Sequence, residues 1–196
     1  MNFLAHAYLS FNNQQVLAGN MVSDFVKGKA KYSFPAGVQL GMQLHRDIDC
    51  FTDAHEATKE ARKLFSPHYR LYSGPFIDIL FDHFLANDTT VFPGDSLQPF
   101  TKEVYNTLES QRAYLPADFL KVFGIMKIQD WLYQYKYNEG MQRSIRGLVR
   151  RASFTSDSET AYALFLMHYN ELQICFDRFF PDVKQFAKQR FNQLIT

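Results

Sequence analysis

Apolar side chains recur at helical spacing along almost the whole chain, and this pattern most constrains the fold. No stretch shows the alternation of β-branched apolar and polar residues that a half-buried strand requires. The 196 residues include 20 Phe and 11 Tyr but only 21% charged residues, which is typical of an ordered, aromatic-rich core. We therefore predict an all-α protein that folds as a single compact multi-helix domain over residues 1–196.

Prolines, glycines and short polar runs divide the chain into helical segments. The predicted segments, after a short opening helix at 2–9, are 13–28, 36–65, 75–87, 98–113, 116–137, 138–151, 157–179 and 182–194. We expect the segment 116–137 to break near Gly124, and we expect Pro181 to separate the last two helices.

Charge and cysteine usage limit the partners and the compartment. The formal net charge is +1 and the pI is about 7.8, so the chain has no strong net positive charge that would attract nucleic acid or an anionic membrane. We expect neither partner. The opening MNFLAHAYLSFNN lacks the pattern of a signal peptide, and the two cysteines, Cys50 and Cys175, form no CxxC motif. A cytoplasmic protein is the expectation, and the sequence gives no signal for its oligomeric state.

Acidic residues interrupt one of the most apolar segments. The run GPFIDILFDHFLAND (74–88) carries Asp78, Asp82 and His83 among residues that belong in a core. Because burying a lone carboxylate costs several kcal/mol, such acids are normally paired, hydrogen-bonded or bound to a metal. Some other group is therefore expected to meet them.

Three further segments offer polar residues of the same kind. In HRDIDCFTDAHE (45–56), His45 and Asp49 share one face of a helix, although this spacing alone also fits a solvated acidic stripe. His6 lies in an apolar setting, where a neutral core histidine is the alternative to a ligand. For Asp24 the alternatives are capping and pairing with a nearby lysine or arginine.

Together these segments can converge on one pocket. The candidates, all in the first half of the chain, are His6, Asp24, His45, Asp49, Asp78, Asp82 and His83. A mixed set of histidines and carboxylates without cysteine suits Mn²⁺, Mg²⁺ or Fe²⁺ better than a structural zinc ion. Metal-assisted hydrolysis is the chemistry that this set most naturally supports. His55, His68 and His168 are expected to be structural.

Four motifs resemble the bacterial acyl carrier protein phosphodiesterase family. They are MNFLAH, LAGNMVSDFVKG (17–28), HRDIDCFTD (45–53) with the later EAR (60–62), and DILFDHFLAND (78–88), and their order and spacing match together over the first ninety or so residues. The resemblance implies an all-helical fold related to the HD-domain metal-dependent phosphohydrolases. It also implies hydrolysis of the phosphodiester between 4′-phosphopantetheine and a serine of holo-acyl carrier protein, usually with Mn²⁺.

The resemblance also suggests roles for individual residues. The metal ligands it implies are His6, Asp24, His45, Asp49 and Asp82. Arg46 is expected to neutralise charge on the phosphoryl group and His83 to protonate the leaving serine, with Asp82 as a further catalytic group. An ordinary HD enzyme has an adjacent His-Asp pair, whereas this chain has His45-Arg46, so the missing carboxylate must come from elsewhere.

An enzyme that acts on an acidic carrier protein needs a basic docking surface. Arg62 and Arg70 are the predicted substrate-binding residues, and Arg143, Arg146 and Arg150 form a second candidate cluster. Two other functions remain open at this point. One is an HD-like phosphohydrolase acting on a nucleotide or another small phosphodiester, and the other is a non-enzymatic helical module that binds an acidic protein.

Overall fold

The apolar spacing is realised as helices throughout the part of the chain that the structure describes. The structure is a computed structural model that describes residues 1–151 and 157–195, and no strand occurs among them, which confirms the all-α prediction. Short 3₁₀ turns connect some of the helices. The α-helices of the described residues are α1 (Phe3–Tyr8), α2 (Gln14–Val22), α3 (Ala36–Ala54), α4 (Glu56–Tyr69), α5 (Ser73–Asn87), α6 (Leu97–Ser110), α7 (Ala117–Ile128), α8 (Trp131–Gln134), α9 (Asn138–Arg151), α10 (Ser158–Met167) and α11 (Tyr169–Ile195).

α5 lies in the centre of the molecule because it is apolar on nearly every side. Phe76, Phe81 and Phe84 are almost completely buried, and α5 contacts α1, α4, α9 and α11. The ring of Phe81 lies 5.7 Å from that of Phe176 and 5.2 Å from that of Phe179, both in α11. This central position carries the polar residues of α5 into the interior.

α2 and α3 approach so closely that their backbones touch. A Cβ atom at Gly19 would lie 1.9 Å from the carbonyl oxygen of Val38, and one at Gly41 would lie 2.2 Å from the carbonyl oxygen of Val16. Only glycine leaves room for this contact. The close approach places the last turn of α2 beside the middle of α3.

Several predicted helix boundaries are confirmed. The segments 2–9, 75–87, 98–113 and 138–151 correspond to α1, α5, α6 and α9 within about three residues at each end. The segment 13–28 is shorter than expected, because α2 ends at Val22 and gives way to a 3₁₀ turn, Ser23–Phe25.

Four predictions about breaks between helices are wrong. The segment 157–179 is not one helix, because α10 ends at Met167 and α11 begins at Tyr169. The segment 36–65 is two helices, because His55 ends α3 and its Nδ1 accepts a hydrogen bond from the N–H of Ala57 to begin α4. The break in 116–137 falls at Asp130, whose φ is +49°, whereas Gly124 lies inside α7. Pro181 lies inside α11, where burial of Phe180 and its neighbours offsets the hydrogen bond that proline cannot donate.

No helix among the described residues is long and apolar enough to span a lipid bilayer. Cys50 and Cys175 are both free thiols.

Candidate metal centre

α1 and α3 bring three potential ligands together. One side-chain atom from each of His6, His45 and Asp49 lies within 4.8 Å of the other two. Oδ1 of Asp49 is 3.2 Å from Nε2 of His6, and Oδ2 is 3.1 Å from Nε2 of His45. The two imidazole rings stack with their centroids 3.9 Å apart. We call these three residues the triad.

His45 is held in one orientation by the backbone of α2. Its Nδ1 is 2.8 Å from the carbonyl oxygen of Asn20, and because a carbonyl only accepts, Nδ1 carries the hydrogen. Its Nε2 therefore faces the carboxylates of Asp49 and Asp24, the latter at 3.2 Å. Burial lowers the pKa of His45, but its hydrogen bonds to the two carboxylates outweigh burial and raise the pKa to about 9. In a metal site the same Nε2 would present its lone pair.

His6 is buried, and its ring nitrogens lack hydrogen-bond partners among the described residues. Its Nε2 is close to Asp49 but is not aligned for a hydrogen bond. Burial, helped by the positive charge of His45, lowers the pKa of His6 to about 4, so the ring is neutral at physiological pH. A buried imidazole with an unused lone pair beside a carboxylate is an arrangement that a cation would complete.

The carboxylates around the triad differ in exposure. Burial acts to raise the pKa of Asp49, but the two histidines and the Met1 amino group hold it well below its usual range. A hydrogen bond to His45 lowers the pKa of Asp24, whose side chain is 79% exposed. The triad therefore opens toward solvent on the side of Asp24.

The amino group of Met1 lies between Asp78 and the triad residue Asp49 and contacts both. This group lies 3.0 Å from Oδ1 of Asp78 and 3.5 Å from Oδ1 of Asp49. Burial raises the pKa of Asp78, and the charge of the Met1 amino group opposes that rise.

The donor set fits a divalent cation. Two imidazole nitrogens with carboxylate oxygens suit Mn²⁺, Fe²⁺ or Mg²⁺, and none of the triad ligands is a thiolate. The hydrogen bond from Nδ1 of His45 to a backbone carbonyl is the outer-shell contact that commonly fixes a ligating histidine.

Asp82 and His83 lie in the interior but outside the triad. Asp82 accepts hydrogen bonds from the backbone N–H groups of Leu4 (2.8 Å) and Ala5 (3.1 Å), so it caps the first turn of α1. Burial raises its pKa to about 7, although the two donors favour the ionised form. His83 uses Nδ1 at the carbonyl oxygen of Tyr135 (2.7 Å) and Nε2 at the hydroxyl of Tyr169 (3.0 Å).

Comparison with known proteins establishes the family. A sequence model of the family described as acyl carrier protein phosphodiesterase matches residues 1–183. The chain belongs to this acyl carrier protein phosphodiesterase family. Its relative of that name from Photorhabdus laumondii is 31% identical over 97% of this chain and 96% of its own length. Relatives of the same name from Yersinia pestis and Escherichia coli strain S88 are each 29% identical over 97% of this chain and 99% of their own lengths.

No solved structure matches this acyl carrier protein phosphodiesterase family member. The expected relation to the HD-domain phosphohydrolases therefore stays a prediction. The matched region does contain every residue of the triad.

The arginines predicted to act in this family member are spread over the surface. Arg46 is half-buried beside a cleft of about 190 Å³ that Lys31 and Tyr32 also line. Arg62 forms an ion pair with Asp53. Arg70 is exposed, with a φ of +47°.

The second arginine cluster lies along α9. Arg143 hydrogen-bonds the side chain of Gln134, and Arg146 pairs with Glu159. Arg143 and Arg150 line a cavity of about 430 Å³, whose wall also includes Trp131.

Sequence reasoning did not select Asn20, which links the helices of the site. Its backbone carbonyl orients His45, and its fully buried side chain donates to the carbonyl oxygen of His6 (2.8 Å) and to Ser10 (3.1 Å). The available signal was an amide in an apolar stretch, one turn before Asp24. Such an amide requires buried partners of its own.

Proposed function

We propose that this protein hydrolyses the phosphodiester that links 4′-phosphopantetheine to a serine of holo-acyl carrier protein. The products are apo-acyl carrier protein and free 4′-phosphopantetheine. The observation that carries this proposal is the triad, two buried histidines and a partly exposed aspartate suited to a cation, in a chain of this family. Near-full-length relatives named acyl carrier protein phosphodiesterase support the choice of substrate.

The triad is proposed to bind Mn²⁺, with Mg²⁺ and Fe²⁺ as alternatives, and Asp24 is proposed as an additional ligand. A divalent cation held there would supply Lewis-acid activation of the phosphoryl group and of the attacking water. The chain itself contributes the fixed orientation of His45 through Asn20 and an opening on the side of Asp24, where a phosphodiester can enter.

The remaining predicted residues take roles that follow from their contacts. Asp82 is assigned to the positioning of α1, and therefore of His6, because both of its oxygens bind backbone N–H groups of that helix. His83 is assigned to packing, because both ring nitrogens already have partners. Arg46 stays the predicted group that neutralises phosphoryl charge, since it follows His45 directly in the chain.

The docking residues Arg62 and Arg70 stay predictions, and so does the cytoplasmic location.

The test is intact-protein mass spectrometry of holo-acyl carrier protein after incubation with the purified protein and Mn²⁺. We expect loss of the whole phosphopantetheine arm and no reaction in EDTA. His45→Ala and Asp49→Asn should each slow the reaction by more than the roughly 10–100-fold typical of an outer-shell partner. His68→Ala, the same type of change at an exposed histidine, should react like the wild type.

An unchanged carrier-protein mass, with Mn²⁺ bound and the protein folded, would refute this activity. The same assay repeated with nucleotides and small phosphodiesters would then test the alternative phosphohydrolase function.

A further inference from the structure

A group of basic residues lies beside the open side of the triad. Lys27, Lys29 and Lys31 follow Asp24 in the chain, and Arg46 follows His45. Lys27 and Lys29 are exposed, whereas Lys31 and Arg46 are partly exposed and line the same cleft of about 190 Å³. We call these four residues the basic strip.

The charges of the basic strip are not neutralised within the protein. Among the described residues, no carboxylate lies within 4.0 Å of any of the four cationic groups, so the pairing of Asp24 with a neighbouring lysine or Arg46, the alternative to ligation, does not form. Asp24 instead contacts His45. Gly28 lies between Lys27 and Lys29 and has a φ of +58°, a backbone conformation that favours glycine. A Cβ atom there would meet no other atom within 4 Å, so the surface around these two lysines is open.

The triad can be approached from the side where the strip lies. The side chains of His6 and His45 are 3% and 7% exposed, whereas that of Asp24 is 79% exposed. Only two residues separate Asp24 from Lys27. A protein that brings a phosphorus atom to the triad from the side of Asp24 therefore comes close to Lys27, where the basic strip begins.

The proposed reaction brings the surface of a protein substrate to the open side of the triad. The scissile bond joins phosphorus to the oxygen of a serine side chain, so the serine and its neighbours must come within a few ångströms of the cation. An enzyme that reacted at the far end of the phosphopantetheine arm would not need to contact the surface of the carrier protein. The residues that flank the serine must then match the charge of the strip.

We propose that the basic strip binds the acidic surface that surrounds the modified serine of the carrier protein. This inference rests on the proposed function and names the face of the enzyme that receives the substrate. Opposite charges on the two surfaces would speed encounter and hold the serine over the triad.

Three arginines of the other basic clusters already have partners within the protein. Arg62 already has Asp53 as an ion-pair partner, and Arg146 has Glu159. Arg143 is engaged with an amide oxygen. The strip combines unneutralised charge with closeness in the chain to Asp24 and His45, since Arg46 follows His45 directly and Lys27 lies three residues after Asp24.

The test is the double charge reversal Lys27→Glu/Lys29→Glu, assayed with holo-acyl carrier protein at low and high salt. We expect KM at low salt to rise at least tenfold while kcat stays within about twofold, and we expect the increase of KM with salt to disappear. Mn²⁺ affinity should stay within about threefold, which establishes that the triad is intact. Lys102→Glu, the same charge reversal at an exposed lysine of α6, is the matched control and should leave KM within twofold.

The outcomes separate this inference from the proposed function. If the wild type cleaves holo-acyl carrier protein and the double variant keeps the wild-type KM, the strip is not the docking surface and the activity stands. If the double variant loses only kcat, the lysines act on chemistry rather than docking, and the inference also fails. If the wild type does not cleave the carrier protein at all, the proposed function fails first.

Discussion

Asp82 supports the candidate site without entering the triad. It is completely buried, and both of its oxygens accept hydrogen bonds from the first turn of α1, which has no side-chain cap from Asn2. A carboxylate at a helix N-terminus satisfies orphan N–H groups and interacts favourably with the helix dipole. Because α1 has six residues, its position depends on such contacts more than on its own helical propensity.

We predict that Asp82→Asn destabilises the protein and also weakens Mn²⁺ binding. The amide keeps one acceptor but turns an NH₂ group toward a backbone N–H, so the expected loss is about 1–3 kcal/mol of unfolding free energy. Mn²⁺ affinity should fall because His6 moves with α1. Chemical denaturation and calorimetric titration with Mn²⁺ measure the two effects.

Asp88→Asn is the matched control for Asp82→Asn. Asp88 also accepts a backbone hydrogen bond, from the N–H of Thr90 at 2.8 Å, but it lies at the exposed end of α5. Asp88→Asn should lower the free energy of unfolding by less than Asp82→Asn does, and it should leave the Mn²⁺ affinity unchanged. Equal Mn²⁺ affinity in the wild type and Asp82→Asn would contradict the positioning role.

Part of the site was accessible from the sequence because it depends on local spacing. His45 and Asp49 are one helical turn apart, so their shared face follows from periodicity. The partners of His83 do not follow from it, since Tyr135 and Tyr169 lie 52 and 86 residues away. The cap that Asp82 provides was equally inaccessible, because its partners are backbone groups that leave no mark in a side-chain pattern.

At the scale of helices, the contact between α2 and α3 determines the geometry of the site. Gly19 and Gly41 let the two backbones touch, and this contact brings the carbonyl of Asn20 to Nδ1 of His45. A wider separation would remove the hydrogen bond that orients His45. Helix packing and ligand orientation are therefore linked through two glycines.

We predict that Gly19→Ala destabilises the protein by at least about 1–3 kcal/mol, because the new methyl group meets a backbone carbonyl that cannot rotate away. It should also weaken Mn²⁺ binding through the displaced Asn20 carbonyl. Gly124→Ala in α7 is the control, since its methyl group would meet nothing within 4 Å. There we expect no loss, and a gain of up to about 1 kcal/mol from helix propensity. Denaturant unfolding followed by circular dichroism compares the two, and equal stability would contradict this account of the contact.

Helix existence was more predictable than helix boundaries. α5 was found because its apolar residues have few polar interruptions, whereas the end of α3 at His55 has no nearby proline or glycine to announce it. The error at Pro181 is of the opposite kind. Proline predicts a break there, but α11 continues through it because the aromatic residues around it are buried. Boundaries set by tertiary packing are not encoded in local residue preference.

At the scale of the whole molecule, the triad joins the start of the chain to α3. His6 is on α1, His45 and Asp49 are on α3, and α1 is also hydrogen-bonded to Asp82 and Asn20. A cation bound to ligands on separate elements stabilises the folded state, because the unfolded chain does not hold those ligands together. Binding of the metal and global stability are therefore expected to be coupled.

We predict that Mn²⁺ raises the melting temperature of the protein. At a free concentration about 100 times Kd, the stabilisation is about 2.7 kcal/mol, which corresponds to roughly 5–10 °C for a chain of this size. EDTA should reverse the shift, His45→Ala should abolish it and His68→Ala should retain it. Differential scanning calorimetry of the four samples provides the measurement. A shift of the same size in His45→Ala would mean that the stabilising cation binds elsewhere, since that variant lacks the imidazole that contacts both Asp24 and Asp49.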